Sequence, residues 1–400
     1  MATTLLTCVF GTLCVVAALP VAVLCAQVAL AHAVPRRGAT SSVASDRGNV
    51  AVLIPAHDEA LGIGHTLRSV QAQLRAGDRL LVVADNCSDN TAEVARAAGA
   101  EVVERSDSHR RGKGYALDHG VRHLAALAPA MVLVVDADCL LDAGALQTLA
   151  GLCQASGRPV QALYEMAPAP DAGLRARVSA FAWRVRNRVR PRGWWVVGAP
   201  CQLMGTGMMF PWPLLSAAPL ASGHIAEDVE LGVGLALRGH PPLFAPQARV
   251  SSTFPASDDA AAAQRRRWEH GNLALMLVHG PRLLVAGLRC GDARLVALAA
   301  DLMVPPLALL VQMQTALALL AALTWAMFGA SAWPAVVSAA AMSALTLAIL
   351  AAWRLAGRDA VTLSELLLTA PAYALRKLPM YLAFLVRRQS TWVRAKREGE

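Results

Sequence analysis

Three stretches of this 400-residue chain are apolar over a length that matches the thickness of a bilayer, and a soluble core of ordinary size has no room for them. A hydrocarbon layer of ~30 Å requires ~20 residues of helix. The runs extend from Leu5 to about Ala33, from about Leu302 to Phe328 and from about Trp333 to Trp353. Ala31, His32 and Ala33 resemble a signal-peptide cleavage site. The first run, however, has no Lys or Arg before it and exceeds the ~7 to 15 residues of a signal core, so it is expected to remain as a span. Composition agrees, with 56% hydrophobic and 16% charged residues and a mean hydropathy of +0.43. A membrane protein carrying a catalytic-sized domain is expected.

Charge beside the runs predicts their orientation. Arg36 and Arg37 follow the first, and the loop Gly329, Ala330, Ser331 and Ala332 between the other two is uncharged. Arg354, Arg358, Arg376, Lys377, Arg387, Arg388, Arg394, Lys396 and Arg397 come after the third. The positive-inside rule then puts the amino terminus outside, and residues 35 to about 300 and the tail in the cytoplasm, at a plasma (inner) membrane. The net charge of +9 is read first as topology and attraction to anionic lipid, not as nucleic-acid binding. Eight cysteines show no metal-like spacing and read as single thiols. The expected division is an N-terminal transmembrane helix (1–34), a catalytic domain (48–275), an interfacial helix (276–300), two transmembrane helices (301–354) and a basic tail (355–400).

From Asn49 short aliphatic runs alternate with helical stretches: NVAVLIPAHDE, RLLVVADNC, EVVERS, MVLVVDADC and PVQALYEMA read as strands separated by helices. That alternation predicts crossover units and an α/β, mostly parallel sheet covered on both faces. Ligands of such sheets collect beyond the carboxyl ends of the strands. Here those ends read PAHDE, ADNCSDN and DADC, and all three are acidic.

Asp136 and Asp138 lie two apart, which in extended chain directs both to one side. Two hard oxygen ligands suit Mg²⁺ or Mn²⁺, although helix caps produce the same pattern. Lys113, between Gly112 and Gly114 ahead of a helix, suits an anion or is simply a solvated lysine. Glu227 and Asp228 open an apolar helix, where acids also complement the helix dipole. Gln264, Arg267 and Trp268 belong to QRRRW, whose guanidinium groups suit phosphate or a membrane-interface collar. In GLRARVSAFAWRVRNRVRPRGWW, Leu174, Val178, Phe181, Val185 and Val189 form one apolar stripe amid seven arginines. A helix lying on an anionic membrane surface is expected there, with a grip on a lipid pyrophosphate as the sharper alternative.

In this order and at these intervals, PAHDE, ADNCSDNT, GKGYAL, VVDADC, AEDVEL and QRRRW resemble the family 2 glycosyltransferases. Within that family the likeness is to the membrane-embedded branch of cellulose, chitin and hyaluronan synthases and bacterial exopolysaccharide enzymes. It covers about residues 49 to 270. The resemblance implies a GT-A fold, a nucleotide-sugar donor with a UDP-sugar favoured, and inversion at the anomeric carbon. Position by position, it implies that Pro55, Ala56, Asp58 and Glu59 line the nucleotide pocket and that Asp85 contacts the base. It gives Lys113 to the nucleotide or its phosphates, and Asp136 to the ribose and metal, with Asp138 the firmer metal ligand. It makes Asp228 the general base, with Glu227 beside it. Gln264, Arg267 and Trp268 close over the diphosphate and acceptor end, and the segment from Gly205 through Thr206 and Gly207 to Phe210 meets the acceptor. Only two clear spans follow QRRRW, fewer than a polymer channel requires, so one addition to a lipid-linked or glycan acceptor fits at least as well. Transfer to polyprenyl phosphate and silent binding of a nucleotide sugar are the alternatives.

Overall fold

A computed structural model describes residues 2–33, 47–168, 171–254 and 258–386. Arg36, Arg37 and the tail residues from Arg387 onward, which carry part of the charge argument, lie outside the described residues. The chain begins with α1 (Ala2–Ala31). The α/β part then runs β1 (Val50–Ala56), α2 (Ile63–Gln71), β2 (Arg79–Asp85), α3 (Thr91–Ala97), β3 (Glu101–Arg105), α4 (Lys113–Leu124), β4 (Met131–Val134), β5 (Leu140–Leu141), α5 (Ala145–Ser156) and β6 (Val160–Ala167). After it come α6 (Leu174–Arg184), a π-helical turn at Val185–Val189, α7 (Arg190–Val196), β7 (Met208–Pro211), α8 (Trp212–Ser216), α9 (Glu227–Leu237) and β8 (Leu243–Thr253). The remainder is helical: α10 (Asp258–Cys290), α11 (Ala293–Leu302), α12 (Leu307–Phe328), α13 (Trp333–Ala356) and α14 (Leu363–Val386).

The strands form one sheet in the order β3-β2-β1-β4-β7-β6-β8-β5. Parallel pairing joins β1 to β2 and β4, β2 to β3, and β6 to β8, whereas β7 runs antiparallel to both β4 and β6. The sheet is mixed and mostly parallel. Alternation along β1 explains its unbroken aliphatic sequence: Val52 and Ile54 enter one core with α2 and α5, and Ala51 and Leu53 enter a second with α4 and Phe210. A strand buried on both faces has no polar side to display.

Another core joins the long apolar helices to the α/β domain. Val21, Leu24 and Val28 of α1 pack with Leu345, Ala348 and Ala352 of α13 and with Val178, Phe181, Val185 and Val189. The apolar stripe expected to face lipid is thus buried against protein. Its arginines are mostly engaged: Arg177 with Glu365, Arg184 with Asp359, Arg188 with Glu165 and Arg190 with Asp301.

Among the described residues, four helices are long and apolar enough to cross a membrane: Thr3–Ala31, Gln264–Cys290, Leu307–Phe328 and Trp333–Ala356. The second was not expected. In place of a break between a catalytic domain and an interfacial helix at 276, α10 runs unbroken from Asp258 through QRRRW to Cys290, and Pro281 is accommodated inside it.

Candidate active site

The site is assembled from the carboxyl ends of β1, β2 and β4, the amino ends of α4 and α9, and the first turns of α10. Beyond β1, Asp58 adopts φ 52°. That turn lets its carboxylate accept from the Ser88 N–H at 2.6 Å and the Asp89 N–H at 3.3 Å, stapling the β1 loop to the β2 loop. Glu59 N–H donates to the Thr91 hydroxyl at 2.8 Å, and His57 Nδ1 donates to the Asp85 carbonyl at 2.7 Å. Pro55 and Ala56 are the last two residues of β1 and lead into this loop. Asp85 is buried and ion-paired with Arg105 at 2.6 Å, and Arg105 lies over the Tyr115 ring at 5.4 Å. Arg105 was not legible in the sequence, because a single arginine closing a short edge strand has no local signature.

Lys113 is the centre of the second group. Its Nζ donates to Asp136 and, at 2.7 Å, to the carbonyl of Gly205. A Cβ on Gly205 would lie 3.5 Å from Asp228 Oδ2 and 3.7 Å from Lys113 Nζ, and φ is +88° there. A bare backbone in left-handed geometry therefore fits between the lysine and the acid, as glycine allows. Thr206 is fully buried, and its hydroxyl accepts from the Asp136 N–H at 3.0 Å. Gly207 faces the sheet, where a Cβ would meet Ala162 and Val250 at 2.8 Å. Both hold the loop in place from behind. Gln161 does the same: from inside β6 its amide donates to the Thr206 carbonyl at 2.9 Å and accepts from the Met204 N–H at 2.8 Å. A lone amide in the apolar run PVQALYEMA was the signal that could have found it.

The acid pair of VVDADC is not carried on extended strand. β4 stops at Val134, and the Cys139 N–H closes a turn onto the Asp136 carbonyl at 3.1 Å. Even so, one ligand atom each of Asp136, Asp138 and Cys139 lie within 4.8 Å of one another. The turn thus achieves the convergence that strand periodicity predicted for a different reason. Burial and the neighbouring carboxylates push the Cys139 thiol well above its usual range, which leaves the carboxylate oxygens of Asp136 and Asp138 as the hard donors of the turn. Hard, anionic oxygens in an open turn fit Mg²⁺ or Mn²⁺.

Burial raises the Asp136 carboxyl, against the opposing pull of Lys113 and Arg267. Burial also works against the Lys113 ammonium, but Asp136, Glu227 and Asp228 outweigh it and hold its pKa above the ordinary value. Glu227 and Asp228 occupy the first turn of α9, and burial raises both. Trp268 packs against Trp183 with ring centroids 5.0 Å apart, and Trp183 in turn meets Tyr164 and Phe254 edge-on. Gln264 lies half-buried one turn earlier on α10. Lys113, Asp136, Gly205, Glu227, Asp228 and Arg267 therefore share one cleft, with the Asp58, Glu59 and Asp85 loops along its rim.

Residues 47–271 match the family described as "Glycosyltransferase like family 2". The chain belongs to this family. An uncharacterized glycosyltransferase of Mycobacterium tuberculosis is 38% identical over 148 residues, which is 35% of this chain and 61% of that protein. The chain thus matches about three-fifths of the length of its mycobacterial relatives. A 4,4'-diaponeurosporenoate glycosyltransferase of Staphylococcus aureus is 36% identical over 110 residues, 26% of this chain and 28% of the relative. Among solved structures, a mannosyltransferase of Pyrobaculum calidifontis in complex with GDP-Man and Mn²⁺ superposes with a TM-score of 0.55 at 17% identity, covering 95% of this chain and 100% of that one. The likeness shows a GT-A fold, and its coverage takes in most of the long apolar helices as well.

Proposed function

We propose that this family 2 domain is an inverting, metal-dependent glycosyltransferase that moves a sugar from a nucleotide-sugar donor, a UDP-sugar favoured, to a lipid-linked or glycan acceptor in the cell envelope. The observation that carries the reading is the convergence of Lys113, the Asp136–Asp138 turn, Asp228 and Arg267 on one cleft. Asp136 and Asp138 would hold Mg²⁺ or Mn²⁺, which supplies positive charge to a departing diphosphate. Lys113 and Arg267 add fixed cations on the same side, where developing negative charge is stabilised without reorganisation. Asp228 accepts the proton of the acceptor hydroxyl as its oxygen bonds to the anomeric carbon. The bond from that carbon to the diphosphate breaks, and the electron pair leaves with the phosphate oxygen. Burial keeps the Asp228 pKa raised, which improves it as a base. Glu227 beside it and the Arg105-paired Asp85 shape the donor end of the cleft.

The test is Asp228→Asn in the full-length chain, with Mn²⁺-dependent binding of a panel of UDP, GDP and TDP sugars measured beside donor turnover. Donor binding is expected to persist while turnover falls by about 10²- to 10⁴-fold, the range for loss of a general base. Unchanged turnover removes Asp228 from the role.

The membrane reading has α1, α12 and α13 crossing, the amino terminus outside, and the catalytic domain cytoplasmic. Ser331 N–H donates to the Thr7 hydroxyl at 3.2 Å, and Gly11 lies against the Trp333 ring. The start of α1 and the α12–α13 loop therefore share one membrane face. Three crossings satisfy that, and a fourth through α10 would not. The charged first turns of α10 favour the same arrangement, with Arg265, Arg266, Arg267 and Glu269 kept at the interface.

A further inference from the structure

Beside the carboxylate cleft, toward the membrane helices, lies a cavity with about 1040 Å³ of empty space, mouth included. Its floor is apolar and drawn from membrane helices and the turn before α12, including Leu24, Leu302, Val304 and Leu307. Trp183 and Trp268 form the wall shared with the active site. Four cations line it: Arg186, Arg190, Arg265 and Lys377, against one lining carboxylate, Glu269. Lys377 and the Tyr381 hydroxyl already satisfy Glu269, and Arg190 is paired with Asp301 at 2.9 Å. Arg186 donates to the neutral Asn272 side chain at 2.8 Å. Among the described residues, neither Arg186 nor Arg265 lies within ion-pair distance of a carboxylate. The cavity thus presents two guanidinium groups without a direct carboxylate contact above an apolar floor. Arg186 also lies near enough to feel the charge of Asp228, so the cavity and the reacting end of the cleft adjoin.

We infer that this cavity holds the acidic head of an amphiphilic acceptor, a carboxylate or phosphate joined to an apolar tail, with the head at Arg186 and Arg265 and the tail along α1 and α12. Guanidinium forks bind either oxyanion through paired, charge-assisted hydrogen bonds. A half-buried cation without a direct ion-pair partner is costly, and an entering anion offsets that cost. The site anchors the acceptor, and no bond to the head forms or breaks. The word acceptor rests on the glycosyl-transfer reading, whereas the binding claim does not.

The experiment uses the full chain in neutral-lipid nanodiscs and follows quenching of tryptophan fluorescence by bromine-labelled twelve-carbon probes with a carboxylate, a phosphate or a hydroxyl head. At least one acidic probe is expected to bind about 10-fold more tightly than the alcohol, equivalent to ~1.4 kcal/mol. The tighter of the two acids names the head. Arg186→Gln and Arg265→Gln should each weaken the acid about 5- to 20-fold and leave the alcohol unchanged, which shows that the cavity remains intact. Acids that bind no better than the alcohol, or that ignore both substitutions, overturn the inference. Donor turnover alongside that result sinks the cavity alone, whereas acid-selective binding without any donor turnover sinks the transfer reading and leaves the cavity standing.

Discussion

Buried acids in this protein titrate in opposite directions, and the difference is testable. Burial raises both carboxyls of the Glu227–Asp228 pair, Glu227 to about 8. An acid whose folded pKa is raised contributes stability that is complete below its unfolded value of ~4 and is lost as pH rises through the folded one. Activity in the proposed mechanism runs the other way, because Asp228 would accept a proton only when ionised. Between pH 4 and 8, donor turnover is therefore expected to climb while the melting temperature of the same preparation drifts down. A turnover profile flat across that window would show that the pair is not the base. At Asp78 burial also opposes ionisation, but hydrogen bonds from Arg47 and from the Arg75 and Val50 N–H groups prevail and lower the pKa. Its stabilisation is present above ~3.9 and disappears as pH falls through the lowered value. Arg47 and Asp78 are almost fully buried at 2.6 Å and pin the start of β1 to the turn before β2. Asp78→Asn is expected to cost about 3 to 5 kcal/mol in denaturant titration. Gln161→Leu should leave the fold intact yet lower turnover ~100-fold, since the loop carrying Gly205 and Thr206 loses its support and small misplacements near reacting groups are costly. Retained turnover in a folded Gln161→Leu protein would make that amide merely a core group.

Helices meet in this protein through close approaches that only glycine permits. A Cβ on Gly193 would lie 2.0 Å from the Gln27 carbonyl, so α7 touches the backbone of α1 directly. Gly193→Val should therefore separate α1 from the arginine-rich segment, and protease sensitivity of the full chain is the measurement. The topology has its own test at the α12–α13 loop. In a background without other cysteines, Ser331→Cys should react with a membrane-impermeant thiol reagent from outside the cell. Protection there, with labelling from the cytoplasmic side, would mean that α10 crosses after all. Its continuity through QRRRW was hidden in the sequence because charge clustered at one end masks an apolar stretch at the other. The alternating strands and helices of the catalytic domain, by contrast, were legible residue by residue, since periods of two and of about 3.6 are local properties.

The α/β domain and the long apolar helices are joined by a buried polar cluster as well as by apolar packing. Asp301, at the end of α11, accepts from Gln27 of α1 at 2.6 Å, Arg190 of α7 at 2.9 Å and Gln202 at 2.6 Å. Breaking it with Asp301→Ala strands a buried guanidinium and is expected to cost about 3 to 5 kcal/mol, whereas exchanging Arg190 and Asp301 together for apolar residues should recover most of that loss. Additive losses in the full-chain denaturation cycle would show that the two do not act as a pair. What the chain's order of residues determined unaided was the layout: three bilayer-length apolar runs, a parallel-type sheet and acidic strand ends, with Lys113, Asp136, Asp138 and Asp228 as the groups to watch. Each of these is written in neighbouring residues. Tertiary structure alone decided that Asp136 and Asp138 meet in a turn past the end of β4, that Arg105 neutralises Asp85, that Gln161 and Thr206 brace the loop, and that most arginines of the amphipathic segment turn to protein partners. Those outcomes depend on which groups from distant parts of the chain are buried together, as with Gln27 and Arg190. Burial makes a missing partner expensive, and no local pattern records where the partner will come from.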